Sequence, residues 1–410
     1  MAQTIELQAL QRVAVTEESA LQYATDLTGS ATFRDVPFQE GTAAVALNEE
    51  ILETQEAQQF IDAYPRTVRG PRSAELSFSM VLAPTGSPAG DGVASPTFDS
   101  NAAMLMLKAF FGATDDANAG TTFQAVTDAA NWTLTSAAGF PNAGALGWVD
   151  SAGAYHMREL VTSSAPKVAL PSTPLVSDVA YASTSIYLAS NPPTTIQMIV
   201  EGANSEDRWV LMGGQVTAAP TLTIPIGDLP TISFTITFAD WEKLGAAAIT
   251  PATYDLFRPV YTQGHFVAQV GGTTTFQELD IASAAYTLNS PVFQAVTSPR
   301  GTPSGRSTVR CFRRIRAVPA AAVAISLPYE DDRWFTERDD REYYHLGYQI
   351  GNAPGETILI TVPKAQVVNV QRVDETGLAY QSVEFRSTID SFVTGTQTDQ
   401  RRSAMRFHFG

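Results

Sequence analysis

A single cysteine, Cys311, stands in a chain of 410 residues. That excludes an internal disulfide and a Cys-rich zinc site, and it suits a reducing compartment. Charge is sparse: Asp, Glu, Lys and Arg make up 17% of the sequence, against roughly 25% in ordinary globular proteins. Such a surface suits a chain that spends much of its area on contacts with other subunits, although many β-rich proteins share it. Lysine is almost missing. Only Lys108, Lys167, Lys243 and Lys364 occur, and the other 22 of the 26 basic residues are Arg. Arg makes forked pairs with carboxylates and is favoured at interfaces. The formal net charge of −16 repels phosphate, which argues against a protein that grips nucleic acid. No run of about 20 apolar residues occurs, so no membrane-spanning helix is expected. The start, MAQTIELQALQR, has no basic segment leading into an apolar one, so no signal peptide is expected.

Catalytic signatures are lacking too. There is no phosphate-binding G-x-x-x-x-G-K-[ST] loop, and GTPSG (301–305) has its Ser in the wrong place for a nucleophile elbow. The four histidines, His156, His265, His345 and His408, have no metal-ligand spacing. No catalytic residue, cofactor site or metal site is expected.

What is present is strand signal. In TISFTITF (231–238), Ile232, Phe234, Ile236 and Phe238 alternate with Thr231, Ser233, Thr235 and Thr237. A strand sends alternate side chains to opposite faces, so this one has an apolar face and a hydroxyl face. SAELSFSMVL (73–82) repeats the pattern, with Leu76, Phe78, Met80 and Leu82 opposed to Ser77 and Ser79. ETILITVPKAQVVNV (356–370) and SAMRFHFG (403–410) also alternate, and Pro363 argues for a bend or an edge. A helix is expected over 99–113, with Met104, Leu107 and Phe111 on one face and Gly112 as its stop. A second helix is expected over 9–26.

Ala83–Pro96 reads as a long loop and Thr162–Asp178 as a linker, with a small β insert between them at about 115–162. The segments RTVRGPRSAELSFSMVL and GQVTAAPTLTIPIGDLPTISFTITF each place a turn before an alternating strand, which suggests a duplicated β unit. The expected organisation is mainly β, with one domain over 1–178, including the insert, and another over 179–410.

Two charge clusters stand apart. Residues 300–316 hold six arginines and no acid, and residues 330–342 hold seven acids and three arginines. Each can be a solvated face. The sharper expectation is that Arg310, Arg314 and Arg316 of one subunit meet Asp331, Asp332, Asp339 and Asp340 of another.

In order, these segments resemble the tail tube proteins of long-tailed bacteriophages. The resemblance rests on RTVRGPRSAELSFSMVL and its long loop, the helix NAAMLMLKAFFGA, the small insert and the stretch from PTTIQMIVEG to FADW. GETILITVPKAQVVNVQRVDETGLAYQSVEFRSTIDSFVTG and MRFHFG complete it. It implies β-sandwich tube domains with a flanking helix, here two in tandem. It also implies rings of three chains with pseudo-six-fold symmetry, or of six chains, stacked into a tube through which DNA passes without being held. Other tail proteins are the further partners, with no membrane, in a virion assembled in the host cytoplasm. The hydroxyl faces of Thr231, Ser233, Thr235, Thr237, Ser77 and Ser79 would then line the lumen, where the alternative is outside solvent. Competing readings are a decoration, capsid or tail terminator protein, and a cytosolic β-sandwich binding module or enzyme.

The charge-cluster expectation is testable. Arg314→Glu should block self-assembly, followed by light scattering, and leave the thermal melt of the monomer unchanged.

Overall fold

The computed structural model describes residues 2–7, 10, 12–18, 27–53, 67–82, 102–116, 121–128, 131–134, 145–159, 179–181, 183–188, 194–202, 207–225, 228–246, 265–270, 277–288, 292–298, 309–316, 321–375, 378–388 and 403–410. The chain is mainly β and its pairing is antiparallel. The N-terminal part supplies β1 (Ala2–Leu7), β2 (Arg12–Glu18), β3 (Arg34–Asp35), β4 (Ala44–Glu53), β5 (Thr67–Val81) and α1 (Ala102–Phe111). An insert follows: β6 (Gly112–Asp116), β7 (Thr121–Asp128), β8 (Asn131–Leu134), β9 (Ala145–Val149), β10 (Tyr155–Glu159), β11 (Val179–Ala180) and β12 (Thr184–Leu188). Next come β13 (Thr195–Glu201), β14 (Arg208–Val216), β15 (Thr221–Pro225), β16 (Thr231–Phe238) and β17 (Asp240–Lys243). The C-terminal part has β18 (His265–Val270), β19 (Gln277–Leu279), β20 (Ser283–Leu288), β21 (Val292–Ser298), β22 (Val309–Arg316) and β23 (Ala321–Pro328). It ends with α2 (Arg333–Asp340), β24 (Tyr343–Ile350), β25 (Ile358–Glu375), β26 (Leu378–Ser387) and β27 (Arg406–Phe409).

The pairing scheme occurs twice. In the N-terminal part β3, β2, β13, β14 and β17 are successive neighbours. In the C-terminal part β19, β18, β24, β25 and β27 follow the same scheme. Likewise β4–β5–β16–β15 matches β20–β23–β26–β25. Strand β25 is one run of 18 residues; its counterpart is broken at 217–220 into β14 and β15. The two stretches read from sequence as a repeat are not equivalents, because β5 and β16 pair with each other. The division expected at 178/179 cuts through the first scheme: β13 and β16 lie after it yet pair with β2 and β5 before it. The schemes part instead between Lys243 and His265.

Alternation builds the core. Leu76, Phe78 and Met80 of β5 and Ile232, Phe234, Ile236 and Phe238 of β16 are all buried. Each aromatic side chain removed from water stabilises the fold by about 1.5–3 kcal/mol. Phe78 and Phe234, directly opposite in register, have ring centroids 5.9 Å apart. Gly214 allows close passage of β14, since a Cβ there would lie 2.4 Å from Phe238 Cε1. The expected strand over 356–370 is the first part of β25, and the register shift between its partners Tyr344 and Leu346 falls at Pro363.

The helix expected over 99–113 is α1. Nine of its ten residues are buried, so it is apolar all round rather than on one face. It packs against β2 and β14 on one side and β6 and β12 on another. Its Lys108 escapes by pairing with Glu17 at 2.6 Å. The second expected helix is corrected: 12–18 is strand β2, whose Val13, Val15 and Thr16 suit a sheet position buried on both faces. Helix α2 was hidden in the acidic cluster. Its Trp334 is buried, with ring centroids 5.6 Å from Phe385 and 5.8 Å from Tyr344.

Within the insert expected at about 115–162, β9 pairs β10 and β7 pairs β8, and β11, beyond the expected bound, adds to β7. The insert also reaches across. β12 pairs β6 on one side and β27 on the other, and β27 pairs β25. Thus a segment that interrupts the first pairing scheme extends the second. Polar groups are buried at this join. Glu159 of β10 pairs with Arg406 of β27, both buried. His408 lies between Ser185 Oγ, 2.8 Å from Nδ1, and Thr361 Oγ1, 3.2 Å from Nε2. In the neutral ring one nitrogen donates and the other accepts. The loop 83–96 and the linker 162–178 lie outside the described residues.

Burial, then the neighbouring Arg406 and His345, push the His408 pKa well below the usual histidine value. The native state therefore keeps the ring neutral while the unfolded chain binds a proton below pH about 6.5. Stability should fall as pH drops through that value, by at most about 1.4 kcal/mol per pH unit for this group, and be unaffected above neutrality. His408→Gln should flatten the decline in urea midpoint between pH 6.5 and 5.

Candidate functional site: a hydroxyl-paved sheet face

Eight strands form one continuous section in the order β4, β5, β16, β15, β20, β23, β26, β25. The join between the two pairing schemes is β15–β20, where Thr221 faces Thr287, Leu222 faces Tyr286 and Pro225 faces Ser283. Residues opposite one another in an antiparallel ladder share a face. The register therefore carries one face across all eight strands.

The six residues singled out on the two alternating strands come together. Ser79 lies opposite Ser233 and Ser77 opposite Thr235. Their hydroxyls bond across the ladder, Ser79 Oγ to Ser233 Oγ at 2.8 Å and Ser77 Oγ to Thr235 Oγ1 at 3.2 Å. Thr237 Oγ1 bonds Thr217 Oγ1 at 2.7 Å, and Thr231 faces Thr223.

Sequence reasoning missed how far this face extends. Ser233, Thr221, Thr287 and Ala322 form one row; Thr231, Thr223, Ala285 and Ala324 form the next; Pro225, Ser283, Ser326 and Ser382 a third. On β16, β15, β20 and β23 every residue of this face is Ser, Thr, Ala or Pro. Charge returns on the flanking strands, with Glu75 on β5, Glu384 and Arg386 on β26, and Glu375 on β25. The signal was present as period-two alternation in TLTIP, SAAYTL and AAVAISLP, each too short to notice alone. The opposite face is core: Leu222, Ile224, Tyr286, Val323, Ile325 and Phe385 are buried.

The charge clusters are held elsewhere. Arg310, Arg314 and Arg316 belong to β22, where they stand opposite Thr297, Phe293 and Val292 of β21. Asp331 and Asp332 precede α2, and Asp339 and Asp340 close it. Strand β23, about 26 Å long, comes between the clusters in the chain, and the side chains of Arg310, Arg314 and Arg316 lie outside the described residues. The acidic side has its own structure. Arg372 of β25 donates to Asp332 and, at 2.7 Å, to the Tyr329 hydroxyl, which lies 3.0 Å from Asp332 Oδ1. The Arg372 bond, and then the Tyr329 bond, hold the Asp332 carboxyl below the usual range. Asp332 and Arg372 border an open cleft of about 490 Å³, which Phe335, Thr336, Asp339 and Asp340 also line.

On β16, β15, β20 and β23 the paved face carries no titratable side chain. Among the described residues no group of three or more His, Cys, Asp or Glu is placed to hold a metal. No helix among them is long and apolar enough to cross a membrane. What the face offers is a broad, small-residue surface of low charge.

If the face is not what holds the fold together, changing it should cost little. Thr223→Ala should lower stability in urea by about 1 kcal/mol or less. Leu222→Ala, one residue away on the core side, should cost about 2–5 kcal/mol. Compared with known proteins, the chain matches no family model and no curated relative.

Proposed function

We propose that this chain is a structural tail tube protein of a long-tailed bacteriophage, assembling in the host cytoplasm into stacked rings whose lumen passes DNA. The observation that carries the reading is the eight-stranded sheet whose four central strands, β16, β15, β20 and β23, present on one face only Ser, Thr, Ala and Pro. A sheet face of that composition is wet and has no row of cations to pin phosphates. The twice-used pairing scheme supports two tandem tube-type β-sandwich domains in one chain, each with its helix, α1 or α2. The net charge of −16 adds repulsion to a lumen that must not hold DNA.

Size favours three chains over six. Strands spaced about 4.8 Å apart and tilted about 40° give a 24-stranded barrel about 48 Å across at the backbone. Six chains of eight strands would double that, to roughly 100 Å. Three chains carrying two tandem domains each give the six-fold-like ring. On this reading Thr231, Ser233, Thr235, Thr237, Ser77 and Ser79 line the lumen. The β22 arginines and the α2 acids, set beyond opposite ends of β23, suit contacts with neighbouring subunits or other tail proteins.

Negative-stain microscopy of the purified, concentrated protein tests the proposal. Hollow rings or tubes are expected, with three chains per ring after image averaging and the β16 face inside. An averaged assembly that turns β16 outward would remove the lumen assignment. A protein that stays monomeric across all concentrations, even with preformed tail tips added, would remove the tube reading.

A further inference from the structure

The two ends of the eight-stranded section differ. At one end β25 leaves β24 after Gln366, and from Val367 to Glu375 its pairing among the described residues is with β26 alone. At the other end β4 is covered by β1, antiparallel, from Ala2 opposite Glu50 to Leu7 opposite Val45. Three large apolar side chains are exposed among the described residues: Tyr343 at 41%, Val368 at 40% and Val373 at 36%. All three sit at the β25 end. Val368 and Val373 lie in the singly paired stretch, and Tyr343, the first residue of β24, faces Gln366. A singly paired strand with apolar side chains exposed along it is a template for another strand.

Strand direction says which one. Every neighbour from β4 to β25 is antiparallel, so the first and eighth strands run in opposite directions. Copies related by rotation about a ring axis keep their strand directions along that axis. Strand β25 of one copy beside β4 of the next is therefore antiparallel, like every other pair in the section. With β1 still in place the section has nine strands, and β25 would meet β1 in parallel. That pair would be the only parallel one in the section, and parallel pairing is the less stable geometry per residue.

We infer that Val367–Glu375 of β25 docks on β4 of a second copy, and that β1 is an exchangeable guard. It occupies β4 in the free chain and is displaced on docking. The lengths suit the exchange: β1 spans six residues of β4, and the docking stretch spans nine. The exposed valines become covered when the neighbour arrives. This inference rests on the ring reading and names the strands that close the ring.

Cysteine pairing tests it. In a Cys311→Ser background, Val373→Cys is combined in turn with Ala44→Cys, Ala46→Cys or Asn48→Cys. Those three positions share the hydroxyl face with Val373 by way of Tyr380, Pro328 and Ser326. One combination should give chain-to-chain disulfides under mild oxidation of assembled protein and none in the monomer. A variant lacking residues 2–7 should assemble with its lag lost. The double variant Val368→Lys, Val373→Lys should stay monomeric with an unchanged thermal melt. Rings that form normally from the double-lysine variant, or that cross-link in none of the three combinations, overturn the docking while leaving the tube reading intact. Unchanged or slower assembly without residues 2–7 overturns the guard role. Absence of rings from every variant and from the parent chain overturns docking and tube reading together.

Discussion

Everything distinctive about this chain depends on the short ladder between β15 and β20. Five residue pairs, Thr221–Thr287 to Pro225–Ser283, turn two four-stranded groups into one sheet. Because side chains alternate with a period of two, a slip of one residue there would turn one half's apolar set outward. Leu222 opposite Tyr286 and Ile224 opposite Ala284, all buried, fix the register from the core side. The hydroxyl rows are continuous only because that register holds. The surface is thus specified by the core beneath it and needs no strong interactions of its own.

The insert adds a second join. By pairing β12 with β27 it ties the segment after α1 to the C-terminal strand, and it does so through buried polar groups rather than apolar ones alone. Glu159 with Arg406, and His408 between Ser185 and Thr361, demand particular partners. A buried ion pair gains little net stability over a well-packed apolar pair, yet losing one partner is costly. Such groups make one docking arrangement of the insert far better than its near alternatives. Glu201 does the same within the first pairing scheme, where Arg208 at 2.8 Å and Arg12 at 3.3 Å neutralise a buried carboxylate between β13, β14 and β2.

Where one face was apolar over eight or more residues, as in 73–82 and 231–238, the sequence could be read directly. Strands of five or six residues, such as β15 and β20, carry too few alternations to stand out, although they complete the candidate surface. β2 was misread because a strand buried on both faces loses its alternation and looks like an apolar helix. α2 was overlooked because acids dominate it and its one buried anchor, Trp334, lacks a helical repeat. The duplication lies in which strand pairs with which, and pairing tolerates wide change in the residues that do it. A Pro- and Ser-rich segment at 162–178 suggested a domain boundary, but such composition is equally at home between two strands such as β10 and β11, which flank it in the chain.

If the hydroxyl face lines a tube as proposed, Ser and Thr suit its central strands better than Asn, Gln or Lys would. A long polar side chain carries donors to the end of a flexible stem, where a phosphate could take them. A Ser or Thr hydroxyl stays within reach of its cross-strand neighbour, and Ser77 with Thr235, Ser79 with Ser233 and Thr217 with Thr237 have already paired. Each such bond uses a donor that could otherwise hold a ligand. Threonine further favours the extended backbone that the sheet requires. The central strands are therefore polar enough to be wetted while part of their hydroxyl donors is used within the sheet, which is what the proposed lumen requires.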